Sequence, residues 1–307
     1  MQRSRERLLE FLFPAGTDHW LAVLRIGLGL QVAFYSLSLR NDWNNLLLGT
    51  ASNLAEALLS LDSHFVPRLG WLVALATQVG LRQETVLFFA WLCLLASSCG
   101  LLLGFACRFS AIAAWLLHLC AAKSGGFVSY GVDNFMTIGL FYLMWSPLPD
   151  RYSLDWRLRG TRPKHPELLG FWRRVLQLHL CVIYFFSGLT KCLGSGWWNG
   201  SSVWRALIRP PFNIIDPEIL VKWNYVFPVA GIFVCLLEIT YPFFIWNSQT
   251  RKIWLVCMCA MHVGIGVTMG MYLFALIMIV LNMAAFGPGL SRMERCTASL
   301  QPQKAVS

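Results

Sequence analysis

Lys191 stands in the string Ser187-Gly188-Leu189-Thr190-Lys191-Cys192-Leu193-Gly194-Ser195-Gly196-Trp197-Trp198-Asn199-Gly200, at the end of an apolar run from Phe171 to Thr190. A lysine at the mouth of a membrane helix, among glycines and tryptophans, has two possible uses. It can be an anchor whose stem reaches for the interface, or it can be a base. A general base working near neutral pH needs a pKa lowered to ~7–8, which desolvation and a neighbouring cation bring about. Three more ionisable residues interrupt apolar runs: Asp133 in Ser129-Tyr130-Gly131-Val132-Asp133-Asn134, Glu238 in Leu237-Glu238-Ile239-Thr240-Tyr241-Pro242, and His262 in Met261-His262-Val263-Gly264-Ile265-Gly266. An ionisable group inside lipid is costly, so each is a candidate site residue. The spacing of Ser129, Asp133 and Thr137 predicts one shared helix face with Tyr130 beside it. A single outward-opening cavity holding Asp133, Lys191, Glu238 and His262 would account for all four. Arg25 is expected to pair with Glu238 or Asp133. His118 and His179 are expected to hydrogen-bond a neighbouring helix or reach an interface.

The composition says what must position these groups. The chain has 307 residues, 57% hydrophobic and 13% charged, with a mean hydropathy of +0.57. A soluble domain of this length does not carry so much apolar surface, whereas apolar runs of roughly 18 residues or more are membrane helices. Eight spans are predicted, near 20–39, 84–106, 109–122, 127–146, 172–190, 224–246, 253–269 and 271–287. The last two are joined by a tight Gly-rich break. The stretch from Leu54 to Leu81, broken by Asp62, His64, Pro67 and Gly70, reads as interfacial or re-entrant helices. Residues 1–19 form a cytoplasmic segment without a cleavable signal, 20–287 the membrane domain, and 288–307 a disordered cytoplasmic tail.

The net charge of +10 does not point to nucleic acid, because the basic residues gather in a few loops. Arg151, Arg157, Arg159, Arg162, Lys164, Arg173 and Arg174 crowd one of them. By the positive-inside rule this places both termini in the cytoplasm and Lys191 at the outer end of the fifth span. Trp197, Trp198, Trp204 and Trp223 then share the outer loop, as an aromatic belt or a lid on the membrane. Asn199-Gly200-Ser201 in that loop matches a glycosylation sequon. The ten cysteines include no Cys-x-x-Cys pair, and neither a metal site nor a disulfide is expected. Gly100-x-x-x-Gly104 and Gly266-x-x-x-Gly270 allow close helix approach.

The string Ser187-Gly188-Leu189-Thr190-Lys191 followed by Trp197-Trp198-Asn199-Gly200 resembles the HTTM domain, the membrane domain shared with vitamin K-dependent γ-glutamyl carboxylase. Ser129-Tyr130-Gly131-Val132-Asp133 leading to Trp145-Ser146-Pro147, Glu238 leading to Pro242, and His262 preceding Met269-Gly270-Met271 and Asn282 follow the same order. The similarity runs from about Trp20 to Phe286, and lipase maturation factors look like more distant relatives. In the carboxylase a lysine deprotonates vitamin K hydroquinone, and Lys191 matches it; His262 matches a histidine of a late membrane helix. The carboxylase has an Asn-His pair where this chain has Phe127-Val128, and it carries a large lumenal domain. The resemblance therefore extends to the base and not to the carboxylation step.

The expected fold is an all-α polytopic bundle of about eight transmembrane helices. The resemblance implies an HTTM-type, carboxylase-like membrane enzyme of lyase or oxidoreductase chemistry. It would act on a quinone-like or lipid-soluble molecule or on an exported peptide, with a reduced, vitamin K-like quinone as the cofactor. Lys191 is the expected base and His262 its catalytic partner. Ser129, Tyr130, Asp133, Glu238 and Trp197 are the expected cavity-lining or substrate-binding residues, and no metal is expected. Membrane lipid, a quinone and an exported peptide or protein are the expected partners, nucleic acid is not, and the bacterial inner (cell) membrane is the expected location. The alternative is a non-catalytic maturation or assembly factor for an exported protein or peptide.

Overall fold

The computed structural model describes residues 2–44, 67–125, 129–160 and 165–287. Helix is the regular secondary structure of those residues, with no strand among them. The chain forms two compact units, one of residues 1–20 and 164–307, the other of 21–163. Five helices are long and apolar enough to cross a membrane: His19–Ser38, Gln83–Leu103, Pro166–Leu193, Val226–Phe244 and Arg251–Met269. Each of the three other predicted spans also holds a helix, Cys107–Ser124, Gly131–Trp145 and Tyr272–Phe286. Part of the 54–81 segment is the short apolar helix Leu69–Gln78; the rest of it up to Val66, and the 288–307 tail, lie outside the described residues.

We number the helices in chain order: α1 Gln2–Leu12, α2 His19–Ser38, α3 Leu69–Gln78, α4 Gln83–Leu103, α5 Cys107–Ser124, α6 Gly131–Trp145, α7 Leu154–Arg159, α8 Pro166–Leu193, α9 Ser195–Trp198, α10 Ser201–Ile208, α11 Pro217–Lys222, α12 Val226–Phe244, α13 Arg251–Met269 and α14 Tyr272–Phe286. Apart from the start of α2, the unit of residues 21–163 is built from α2 to α7. Leu24, Leu28, Leu94, Leu101, Ala111, Ala114, Leu140 and Leu143 are fully buried in its core. Gly29 and Gly100 let backbones close up, since a Cβ at Gly29 would stand 3.0 Å from the backbone nitrogen of Leu102 and one at Gly100 2.3 Å from Ser110 Oγ. The Gly100-x-x-x-Gly104 pattern is thus a close approach at both glycines, to Ser110 at the first and to Ser153 at the second. Gly104 ends α4 with φ 69°, and a Cβ there would collide with Ser153.

The α4–α5 turn is held by charge. Arg25, 0% exposed, bonds Asp150 through Nε at 2.6 Å and Nη2 at 3.2 Å. Its Nη1 donates to the carbonyls of Leu101 and Leu102 at the end of α4, at 2.5 and 3.2 Å. Asp155 accepts from the backbone N–H groups of Ala106 and Cys107, at 2.9 and 2.7 Å, at the start of α5. A cation thus meets the negative end of one helix and an anion the positive end of the next. The expectation that Arg25 pairs with Glu238 or Asp133 is corrected. Asp150, in the stretch between α6 and α7, is its partner, and both other carboxylates are already engaged elsewhere.

In the unit of residues 1–20 and 164–307, α8 is the central helix. Its buried positions Leu169, Arg173, Gln177, Leu180, Tyr184 and Gly188 recur every three or four residues, the spacing of one helix face. Arg173 Nε and Gln177 Nε2 donate to the Ala285 carbonyl in the last turn of α14, at 3.1 and 2.7 Å. Residues before α2 lie against the start of α8, where Gly16 N donates to Pro166 O at 3.1 Å and Phe13 stacks on Phe171. The break between α13 and α14 is tight because Gly270 takes φ 69°.

The Arg25–Asp150 pair leads to a direct test. Arg25→Ala and Asp150→Ala should each destabilise the protein by about 3–5 kcal/mol, because each strands a buried charge. The double substitution should cost well under the sum. Thermal unfolding of the purified protein in detergent measures all three, and additive losses would show that the two side chains act independently.

Candidate functional site

Lys191 lies in the last turn of α8, and Glu238 lies mid-way along α12. The helices meet at Gly188, where a Cβ would stand 2.4 Å from the backbone nitrogen of Ile239 and 2.8 Å from its Cα. Only glycine permits that approach. It brings Lys191 Nζ to 2.5 Å from Glu238 Oε2, with side-chain exposures of 19% and 8%. Nζ also donates to Ser187 Oγ, one turn back on α8, at 2.5 Å. The ring of Trp197 faces the ammonium, with Nζ 5.4 Å from its centroid, within cation–π range. Trp197 is held in turn by α9, whose Trp197 carbonyl presses on Gly231 of α12 so closely that a Cβ there would lie 2.1 Å away. Three of the expected residues, Lys191, Glu238 and Trp197, are therefore one constellation.

His262 belongs to a second group one or two turns along the same helices. Tyr184, Ser187, Gly188 and Lys191 share a face of α8, and Tyr241 follows Glu238 by one turn of α12. Tyr184 Oη lies 2.9 Å from His262 Nε2. Asn282 of α14 donates from Nδ2 to Tyr184 Oη at 2.7 Å and to the Met278 carbonyl at 2.8 Å. Its Oδ1 accepts from Tyr241 Oη at 2.9 Å. Tyr184, Tyr241 and Asn282 are each exposed by 2% or less, and His262 by 3%. Four helices thus contribute one polar side chain each to a neutral, hydrogen-bonded group. Pro242 adds a local feature: with no N–H to give, it leaves the Glu238 carbonyl without its usual partner one turn on.

Asp133, Tyr130 and Ser129 belong to the other unit. α6 begins at Gly131, so Ser129 precedes it and is exposed, and the expected face of Ser129, Asp133 and Thr137 does not form. Asp133 sits in the first turn and accepts from the Tyr130 backbone N–H at 3.0 Å, a capping role suited to a carboxylate at a helix start. His118 is fully buried; its Nε2 lies 3.2 Å from the Asp133 carbonyl, and the ring of Tyr35 stands edge-on at 5.1 Å. This matches the expected bond of His118 to a neighbouring helix. Asn199 of the sequon is exposed, with its Oδ1 accepting from Ser201 N at 3.0 Å.

The sequence reading passed over Tyr184, which ties His262 to Asn282. The signal for it was its place seven residues before Lys191, on the same face of α8. No group of three or more metal-ligating side chains occurs among the described residues, and the nine described cysteines are all free. No family model, curated protein or solved structure matches the chain.

Gly188 is the point at which the lysine site can be broken without touching a polar group. Gly188→Ala should force α8 and α12 apart, lower stability by about 1–3 kcal/mol and release Lys191 from Glu238. The melting temperature and the rate of Lys191 acylation by an amine-reactive reagent report the two effects. Unchanged values for both would mean that the helices do not meet at this residue.

Proposed function

We propose that this chain is an HTTM-type multi-pass membrane enzyme that uses Lys191 and Glu238 as a proton-accepting pair. The substrate is a quinone-like or other lipid-soluble molecule, or an exported peptide, reaching the site from the outer side. The observation that carries this reading is the 2.5 Å separation of Lys191 Nζ from Glu238 Oε2, with the lysine side chain only 19% exposed. An interfacial anchor extends its ammonium to water and headgroups; this one is turned back along α8 and held by three neighbours. As the base, Lys191 would take a proton from a weakly acidic hydroxyl such as that of a reduced quinone. Trp197 offers a ring face beside the amine, and His262 orients or polarises the bound molecule. Eight spans with both termini in the cytoplasm fit the loop charges; five of them are helices long and apolar enough to cross a membrane, and the other three each hold a helix. The bacterial inner membrane is the proposed location, with membrane lipid as the surrounding partner.

A second reading, assembly or maturation of an exported protein or peptide without chemistry, draws on a different observation. The segment between α8 and α12 exposes Ile214, Ile219, Val221, Trp223 and Tyr225, an apolar rim that a passing chain could use.

Lys191→Arg separates the readings. Arginine can keep the ion pair with Glu238 but cannot give up its proton. Loss of a general base costs ~10²–10⁴-fold in rate, so Lys191→Arg should abolish complementation of a deletion strain while expression and thermal stability stay normal. Full complementation by the arginine variant would reduce Lys191 to an anchor and end the enzyme reading. The proposed topology has its own test. A cysteine replacing Arg159 should resist a membrane-impermeant maleimide applied to intact cells, and its labelling from outside would overturn the orientation.

A further inference from the structure

The hydrogen bonds around His262 have directions, and the directions fix where its proton sits. Asn282 Nδ2 is 2.8 Å from the Met278 carbonyl; the flipped amide would set two oxygens face to face, so the nitrogen must point that way. The same nitrogen, 2.7 Å from Tyr184 Oη, gives its second hydrogen to the phenol. Tyr184 Oη is then an acceptor toward Asn282, and its own hydrogen has His262 Nε2, at 2.9 Å, as acceptor. An imidazole nitrogen that accepts carries no hydrogen, so the neutral ring bears its proton on Nδ1. The reverse tautomer would leave two buried polar functions unmet, the phenol hydrogen and the Nδ1 lone pair. The tautomer assigned here leaves one, Nδ1–H. That atom is buried and has no partner within the protein, and an unmet buried donor is costly.

We infer that Tyr184 and Asn282 are positioning residues that hold His262 as the neutral Nδ1–H tautomer, so that it presents a hydrogen-bond donor to an oxygen of the molecule bound at the site. Tyr241, donating to Asn282 Oδ1, locks the amide from its other side. The arrangement makes His262 a donor and not a proton acceptor or a metal ligand, since Nε2 is taken by Tyr184 and Nδ1 is protonated. Nor is the group a proton wire, because the Asn282 amide neither releases nor takes up a proton in ordinary pH ranges. The ligand class that fits is one with an uncharged or anionic oxygen free to accept, a carbonyl or phenolate. This rests on the reading that the bound molecule lies beside Lys191, but not on Lys191 being a base.

The test is ¹³C and ¹⁵N spectroscopy of histidine-labelled full-length protein in lipid nanodiscs. The chain has six histidines, and the His262 signal is the one lost in His262→Phe. The wild-type ring should show the Nδ1–H pattern, favoured by roughly tenfold or more. Tyr184→Phe removes the donor to Nε2 and should bring the two tautomers toward parity. Asn282→Leu frees the Tyr184 hydroxyl to turn and should also give a mixture; it serves if Tyr184→Phe folds poorly. Added 1,4-naphthoquinone, as a carbonyl probe, should move the wild-type Nδ1 resonance. A wild-type Nε2–H pattern, or a tautomer ratio unchanged in both variants, would overturn the positioning role. An Nδ1 resonance indifferent to the probe would overturn the ligand assignment. Lys191→Arg should leave the tautomer ratio as in wild type, because Lys191 does not bond Tyr184, Asn282 or His262, so a failure of the base reading is seen separately from a failure here.

Discussion

Charge taken out of water has to be neutralised where it lies, and each unit of this chain is organised around one such requirement. In the unit of residues 21–163 the burden falls on Arg25. Its guanidinium is planar and carries several donors in a fixed fork, so it can bind Asp150 twice and still reach the carbonyls of Leu101 and Leu102. One side chain thereby joins α2, the end of α4 and the segment after α6. In the other unit Lys191 has a smaller repertoire, a point charge with three donors. It is held by one carboxylate, one hydroxyl and one ring face. The difference in chemistry suits a difference in use. A guanidinium stays charged in proteins and suits a permanent clamp, whereas a lysine is the side chain that the proposed base requires.

Glycine is what lets the second pairing form. Lysine and glutamate approach because α8 and α12 touch at Gly188, so the short Lys191–Glu238 distance is fixed by backbone contact and not by two flexible side chains finding each other. Gly231 does the same for the Trp197 segment against α12. The site is consequently rigid at its base, with Lys191, Glu238 and Trp197 each carried on a backbone that cannot shift without opening a helix contact. Preorganisation of that kind is what a proton-transfer site needs, because the reacting atoms must already stand within hydrogen-bond distance.

The helices were legible in the sequence because lipid demands long apolar runs, and such runs are local. All eight predicted runs hold a helix, and their ends move by only a few residues. The largest change is at α8, which begins at Pro166, well before the predicted 172, because proline at the first helical position needs no N–H partner. Contacts between distant residues were not legible in the same way. Nothing local in the Leu148-Pro149-Asp150-Arg151 stretch marks Asp150 as the partner of Arg25, 125 positions away in the chain. Tyr184 was passed over for a related reason. A tyrosine in an apolar helix is unremarkable by composition, and its importance comes from the histidine and asparagine that two other helices place beside it. Ser129 was misjudged because the start of α6 was set by a capping carboxylate, Asp133, and not by the end of the apolar pattern.

The two polar groups on this face of α8 differ in burial. The more exposed one pairs Lys191 with Glu238. The inner one, Tyr184 with His262, Asn282 and Tyr241, is neutral and fully bonded except at one nitrogen. On the proposed reading, reversing those positions would put the base deep among aromatic rings and a fixed donor at the more open end, where water would satisfy it. On the same reading, the group that exchanges protons is the more exposed one, and the group that fixes orientation is the more deeply buried one. An orienting hydrogen bond is strongest where no water competes for it, and a proton acceptor must be reset after each cycle, which needs some access to solvent. Side-chain burial along α8, rising from Lys191 down to Tyr184, satisfies both conditions with a single helix.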